Sequence, residues 1–132
     1  MPSIINFSEA ASIGIHGIII LARTGEPMNA IELSKRLVKS KHHIGKVMQR
    51  LVKTGFLDSY RGPTGGFKLK RNPEELSMYE IYAAIEGEVE IKDCQNTNPI
   101  CPFNKCIHNN VVKILSTNFV DYMRNERLSE YI

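Results

Sequence analysis

A mostly helical fold with one small β-hairpin is predicted by three features of this 132-residue chain. Apolar residues recur at helical spacing in five separate windows. Serines that can take up free backbone N–H groups stand before three of these windows, and glycines close three of them. Between the third and fourth windows, two short β-prone runs flank Arg61-Gly62-Pro63-Thr64-Gly65-Gly66, a turn-rich connection suited to a hairpin tip.

Taken in order, Ser8 caps a first helix that runs to about Thr24 and stops at Gly25. Ala11, Ile15, Ile18, Ile19 and Ala22 form its expected buried stripe, and His16 is read as a packing residue. Pro27 and Asn29 mark a turn, and Ala30 to about Val38 reads as a short helix with Ile31, Leu33 and Leu37 inward. Ser40 caps a third helix, Lys41 to Thr54, whose apolar face is Ile44, Val47, Met48 and Leu51; Gly55 ends it. Phe56 to Tyr60 and Phe67 to Lys70 are the strands. Ser77 and Glu80 form a capping box that opens a helix with Met78, Ile81, Tyr82 and Ile85 inward and Gly87 as its stop. A segment with Pro99 and Pro102 is expected to be irregular. A last long helix is predicted from about Ile107 to Arg124, with Val112, Leu115, Phe119 and Met123 on one side and Val111, Ile114 and Tyr122 on an adjoining one.

Length and composition narrow the class. At 15.0 kDa, with 42% hydrophobic and 23% charged residues, the chain fits one folded unit and neither a disordered nor a fibrous protein. Its longest apolar stretch, Ile13 to Ala22, is too short to span a bilayer, which takes about 20 residues. Glu9 lies where a secretion leader would be cationic, so a cytoplasmic protein with no membrane partner is expected.

The net charge of +3 conceals a strong asymmetry. Between Arg23 and Arg71, twelve Lys/Arg stand against three acids, a local balance of +9, while the remainder of the chain sums to −6. One face is therefore expected to meet a polyanion. Helix, short helix, turn, helix, hairpin is the order of a winged helix-turn-helix, in which the third helix reads DNA and the hairpin is the wing. Ser40, Lys41, His42, His43, Lys46, Gln49 and Arg50 are the candidate contacts on that helix, with Lys53 further along; Arg61, Gly62 and Gly65 are those of the wing. The alternative is an ordinary amphipathic helix with solvated lysines. The expected organisation is residues 1–87 as the winged unit, 88–106 as a cysteine-rich loop and 107–132 as a dimerisation helix and tail, all in one compact body. The apolar sides of the last helix exceed what a chain of this size can cover, so a homodimer on a two-fold symmetric double-stranded operator is expected.

Cys94, Cys101 and Cys106 lie within thirteen residues of one another, with the spacing Cys-x6-Cys-x4-Cys, and no other cysteine occurs. An odd, clustered set argues for a metal or redox site over a disulfide scaffold. Thiolates suit an iron–sulfur cluster, zinc or copper(I). An enzyme would need a partnered base or oxyanion donors beside a cysteine; His108 near Cys106 is alone in this respect, so no catalytic activity is expected.

The stretches Glu32-Leu33-Ser34, Ser40 to Val47, Leu51 to Leu57 and Arg61 to Phe67, followed by Ala84-Ile85-Glu86-Gly87 and the three cysteines, resemble the winged-helix iron–sulfur transcription regulators. That family includes cluster-assembly regulators, nitric-oxide-sensing repressors and a cluster-free repressor of cysteine metabolism. The Lys41-His42-His43-Ile44-Gly45-Lys46-Val47 run is most similar to the nitric-oxide sensors. The resemblance implies a transcription regulator whose operator affinity depends on a 2Fe–2S or 4Fe–4S cluster held by Cys94, Cys101 and Cys106, sensing nitric oxide, redox or cluster status. It also implies a fourth ligand: Glu9 from the other protomer, or His108. Relatives space their cysteines more evenly than this chain does. Zinc on the same thiolates, free thiols that sense oxidants, and a small redox protein that binds no DNA are the other readings.

Overall fold

Each helix of the winged unit begins where a side-chain oxygen takes up a backbone N–H that has no partner within the helix. The computed structural model describes residues 7–91 and 101–132. Ser8 Oγ accepts from Ala11 N at 3.0 Å and opens α1, Glu9–Thr24. Asn29 Oδ1 accepts from Glu32 N at 2.8 Å at the head of α2, Ala30–Leu37, and Ser40 Oγ caps α3, Lys41–Lys53. The Ser77–Glu80 capping box is complete at the start of α4, Met78–Glu86. Between α3 and α4, β1 (Leu57–Tyr60) pairs antiparallel with β2 (Gly66–Leu69), Leu57 facing Leu69 and Tyr60 facing Gly66. A second long helix, α5, runs Val111–Asn125, and a 3-10 turn, Leu128–Tyr131, ends the chain. The fold is mostly helical with a two-stranded wing, as the sequence predicts.

The core lies where α1 crosses α3 and α4. Ile18, Leu21, Leu33, Ile44, Met48, Leu51, Leu57, Leu76, Ile81 and Leu128 are its fully buried side chains. Full burial of each large apolar side chain stabilises by about 1.5–3 kcal/mol. The buried face of α1 is rotated from the expected stripe: Ala11, Ile13, Gly14, Gly17, Ile18 and Leu21 are inside, whereas Ile15, Ile19 and Ala22 are only half-buried. Glycine explains the rotation. A Cβ on Gly14 would run into the Ile85 side chain, and one on Gly17 would come within 2.8 Å of Met48 Cε. Close helix approach there selects residues that carry no apolar signal in a sequence.

Three further expectations are corrected. Ile31 is half-exposed on α2, because Ala30, Leu33 and Leu37 take the core side of that short helix. The last helix begins at Val111 and not near Ile107. Asn109 and Asn110 take left-handed φ values of 51° and 58°, which break the helical path before it can start. Along α5, Val120 and Met123 are the buried residues, and Leu115 is exposed. Phe119 instead joins Phe7 and Tyr82 in an aromatic trio with centroids 5.3–5.9 Å apart, which ties α5 to α4 and to the residue just before the α1 cap.

The tail after α5 folds back onto the winged unit. Met78 N donates to Glu126 O, Leu128 N to Leu76 O, and Leu128 is wholly buried. Arg23 Nε donates to Tyr131 O at 2.6 Å, and the Tyr131 hydroxyl donates to Glu126. That carboxylate pushes the Tyr131 phenol far above its ordinary range.

Candidate nucleic-acid interface

Helix α3 is two-faced in both sequence and structure. Ile44, Val47, Met48 and Leu51 are buried, so the back of the helix is fixed against α1, α2 and α4. Its front is a shallow groove lined by Lys41, His42, Gly45, Lys46, Gln49, Arg50 and Lys53. Lys41, His42, Lys46, Gln49, Arg50 and Lys53 are exposed there, and no acid shares the groove. Cationic and amide side chains on an outward helix face, with the back consumed by the core, make a surface able to enter a major groove.

Not every expected contact residue points the same way. Ser40 is spent on capping, its Oγ accepting from His43 N at 3.4 Å. Arg50 Nε donates to Ala84 O at 3.0 Å, which bolts α3 to the end of α4 while leaving the residue on the groove wall. His43 is half-buried and turns toward α1, with Nδ1 3.7 Å from Glu9. Glu9 also pairs with Lys39 Nζ at 2.8 Å, and this hydrogen bond and charge lower the Glu9 carboxyl below its ordinary value. Periodicity and local motifs do not reveal this contact, since its partners are thirty residues and more apart.

The wing owes its shape to its glycines. Gly62 has φ 101°, and Gly65 N donates back to Gly62 O at 3.0 Å, closing the tip. A Cβ on Gly65 would strike the Tyr60 carbonyl, and one on Gly66 would strike the backbone of Met28. Gly66 must approach closely because Met28 and Phe67 exchange two backbone hydrogen bonds, of 3.0 and 2.7 Å. Gly65 thus serves the hairpin itself, and Gly66 serves the bridge between the wing and Met28. Arg61 is exposed directly after β1, and no ion pair engages it among the described residues.

Of the three cysteines, Cys94 lies outside the described residues, Cys101 is exposed and Cys106 is half-buried. Cys106 Sγ accepts from Asn110 N at 3.5 Å. The backbone N–H groups of Asn110 and then His108 lower this thiol below its ordinary value, so the chain presents it as a thiolate-prone donor. Soft, accessible sulfurs fit an iron–sulfur cluster or zinc. Among the described residues no three His, Cys, Asp or Glu side chains converge, so neither Glu9 nor His108 joins Cys101 and Cys106 within this protomer.

Comparison with known proteins then fixes the family. The model of Rrf2, an iron-dependent transcriptional regulator, matches residues 7–132. The chain belongs to the Rrf2 family. It is 26% identical over 106 residues to the HTH-type transcriptional regulator IscR of Pectobacterium atrosepticum, covering 80% of this chain and 65% of that one. It is 31% identical over 93 residues to the regulator NsrR of Bacillus subtilis, covering 64% of each. The chain thus spans about two thirds of the length of these Rrf2 relatives. The structure of CymR, the global cysteine regulator of B. subtilis, superposes with a TM-score of 0.79 at 17% identity, covering 96% of this chain and 95% of that one. IscR of T. potens superposes with 0.75 at 19% identity, covering 96% and 85%. The Rrf2 family is one of transcriptional regulators and not of enzymes. No helix among the described residues is long and apolar enough to cross a membrane.

Proposed function

We propose that this Rrf2 chain is a homodimeric DNA-binding regulator whose affinity for a two-fold symmetric operator is set by an iron–sulfur cluster on Cys94, Cys101 and Cys106. The observation that carries the DNA reading is the front of α3: a cationic groove without an acid, on a helix whose apolar back is wholly used. Lys41, His42, Lys46 and Gln49 read base edges, Lys53 and Arg50 contact phosphate, and Arg61 at the wing reaches a phosphate or a narrow minor groove.

The exposed side of α5, with Val111, Ile114, Leu115 and Tyr122, is the surface for a second copy. Such pairing would set two α3 helices on successive major grooves. It would also bring Glu9 of the second copy toward the cysteine segment as fourth ligand, with His108 as the alternative donor. A bound cluster would supply a redox- and nitric-oxide-reactive centre. The chain's own part is to hold the thiolates: Cys106 through backbone N–H groups at the head of α5, Cys101 at the surface. The run from Lys41 to Val47 supports the nitric-oxide-sensing branch of the family in particular.

A second reading rests on the same Cys106 environment. A thiolate favoured by backbone N–H groups is equally suited to zinc or to direct reaction with oxidants, without a cluster. An absorbance spectrum of anaerobically purified protein separates the two, since iron–sulfur charge transfer absorbs in the visible and zinc does not. Binding of palindromic and scrambled duplexes across a salt series tests the DNA reading itself. Affinity should fall steeply with salt, and salt-independent or absent binding would remove that reading.

A further inference from the structure

The nine glycines of this chain divide unevenly. Five adopt positive φ, two let helices pack against α1, and Gly65 clears a carbonyl in the wing. Gly45 has none of these reasons. It sits inside α3 with helical geometry, and a Cβ there would meet nothing within 4 Å. Glycine is the poorest helix former after proline, so the chain's own folding favours alanine at this position.

Its place on the helix indicates what takes up the space. Gly45 lies one turn after Lys41 and one turn before Gln49, with His42 and Lys46 beside it, all on the wall of the same groove. The missing side chain leaves a notch at the centre of the cationic face. From this we infer that Gly45 is a positioning residue for DNA recognition: it lets the α3 backbone seat against base edges in the major groove, so that Lys41, His42, Lys46 and Gln49 reach bases and not only phosphates. This rests on the DNA reading proposed above. The chemistry is steric. A side-chain amide makes its bidentate contact with adenine only within hydrogen-bond distance, and a methyl group between helix and base edge would hold Gln49 back from it.

The test compares wild type, Gly45→Ala, Gly45→Ser and Lys46→Ala as full chains. Wild type first selects a duplex from a random-sequence pool, and each protein is then titrated with that duplex and a scrambled one at fixed salt. Thermal melting is recorded in parallel. Gly45→Ala should melt at a higher temperature yet bind the selected duplex about tenfold or more weakly. Its binding to the scrambled duplex should be unchanged, and its own selection should return altered base preferences. Gly45→Ser should show the same loss of discrimination, which guards against an effect peculiar to alanine. An unchanged specificity ratio in both Gly45 variants, with Lys46→Ala weakened, overturns the inference and leaves the DNA reading standing. Equal weakening on both duplexes with unaltered base preference also overturns it. If wild type selects no duplex at all, the DNA reading fails and this inference with it.

Discussion

Helices α3 and α5 are both amphipathic, but they use their apolar faces in opposite ways. In α3 four large side chains are buried over thirteen residues, and what remains outside is cationic and polar. In α5 two of fifteen residues are buried, both near its end, while Val111, Ile114, Leu115 and Tyr122 stay exposed. The exposed set follows i, i+3, i+4 spacing, the stripe by which one helix packs against another. A helix whose apolar face is consumed within its own chain can offer only charge and hydrogen bonds to a partner. A helix whose apolar face is left over offers burial. The first suits a hydrated polyanion and the second suits a copy of itself.

The largest effect that would test this contrast is at the back of α3. Leu51→Ala removes a wholly buried side chain and should cost about 2–5 kcal/mol in denaturant unfolding. Next comes the leftover face: Ile114→Glu should leave secondary structure intact, because Ile114 is half-exposed, but shift sedimentation from dimer to monomer. A dimer that survives this charge would place the self-contact elsewhere and break the comparison. On the front of α3, Lys46→Ala, and on the wing Arg61→Ala, should each weaken operator binding by about 1–3 kcal/mol if they touch bases or a narrow groove. A phosphate-only contact would instead weaken all duplexes alike and reduce the salt slope.

A smaller effect concerns α4, on which both helices rest. Burial raises the Glu80 carboxyl, but the Ser77 N–H and the Arg71 guanidinium, 3.1 Å away, outweigh it and hold the group below its ordinary value. A carboxyl lowered on folding stabilises above its unfolded value of about 4.3, and this contribution is lost as pH falls through the folded value. Because both partners are partly exposed, the effect should be at most about 1 kcal/mol. Glu80→Gln should therefore flatten the acid limb of the stability–pH curve. An acid limb unchanged in Glu80→Gln would show that the pair contributes nothing.

How far the sequence shows the fold can be seen residue by residue. Caps are local, so Ser8, Ser40, Ser77 with Glu80, Gly25 and Gly87 place helix ends within a residue or so. The apolar face of α3 is legible because four apolar residues recur on it and its one glycine, Gly45, lies on the opposite face. The face of α1 is not, because Gly14 and Gly17 mark it by the absence of a side chain. The start of α5 is misjudged because Ile107 extends an apolar pattern that the Asn109 and Asn110 backbone interrupts. The return of Leu128 to the core is a long-range contact with no local signature. The same division holds at the site. Periodicity places Lys41, His42, Lys46 and Gln49 on the outer face of α3, where the structure also has them, whereas the Glu9 contacts to Lys39 and His43 need the tertiary fold.

The smallest effect lies in the turn that sets α3's angle. Val38 follows α2 with φ 55° and ψ 47°, a left-handed conformation that a β-branched side chain rarely adopts, and it is 84% exposed. The left-handed region costs an ordinary L-residue about 1–2 kcal/mol, and asparagine tolerates it better. Val38 buries almost nothing that could offset this cost. Val38→Asn should then raise stability by about 0.5–1 kcal/mol without changing oligomeric state, while Ile114→Glu should do the reverse. This opposition sharpens the comparison, since each substitution exchanges one exposed apolar residue for a polar one. After α2 that residue is strained in the left-handed region; on α5 it belongs to a stripe. If Val38→Asn instead dissolved the dimer or lowered stability, Val38 would belong to an apolar contact of its own. The surface around α3 would then hold a second interface besides the one proposed for DNA.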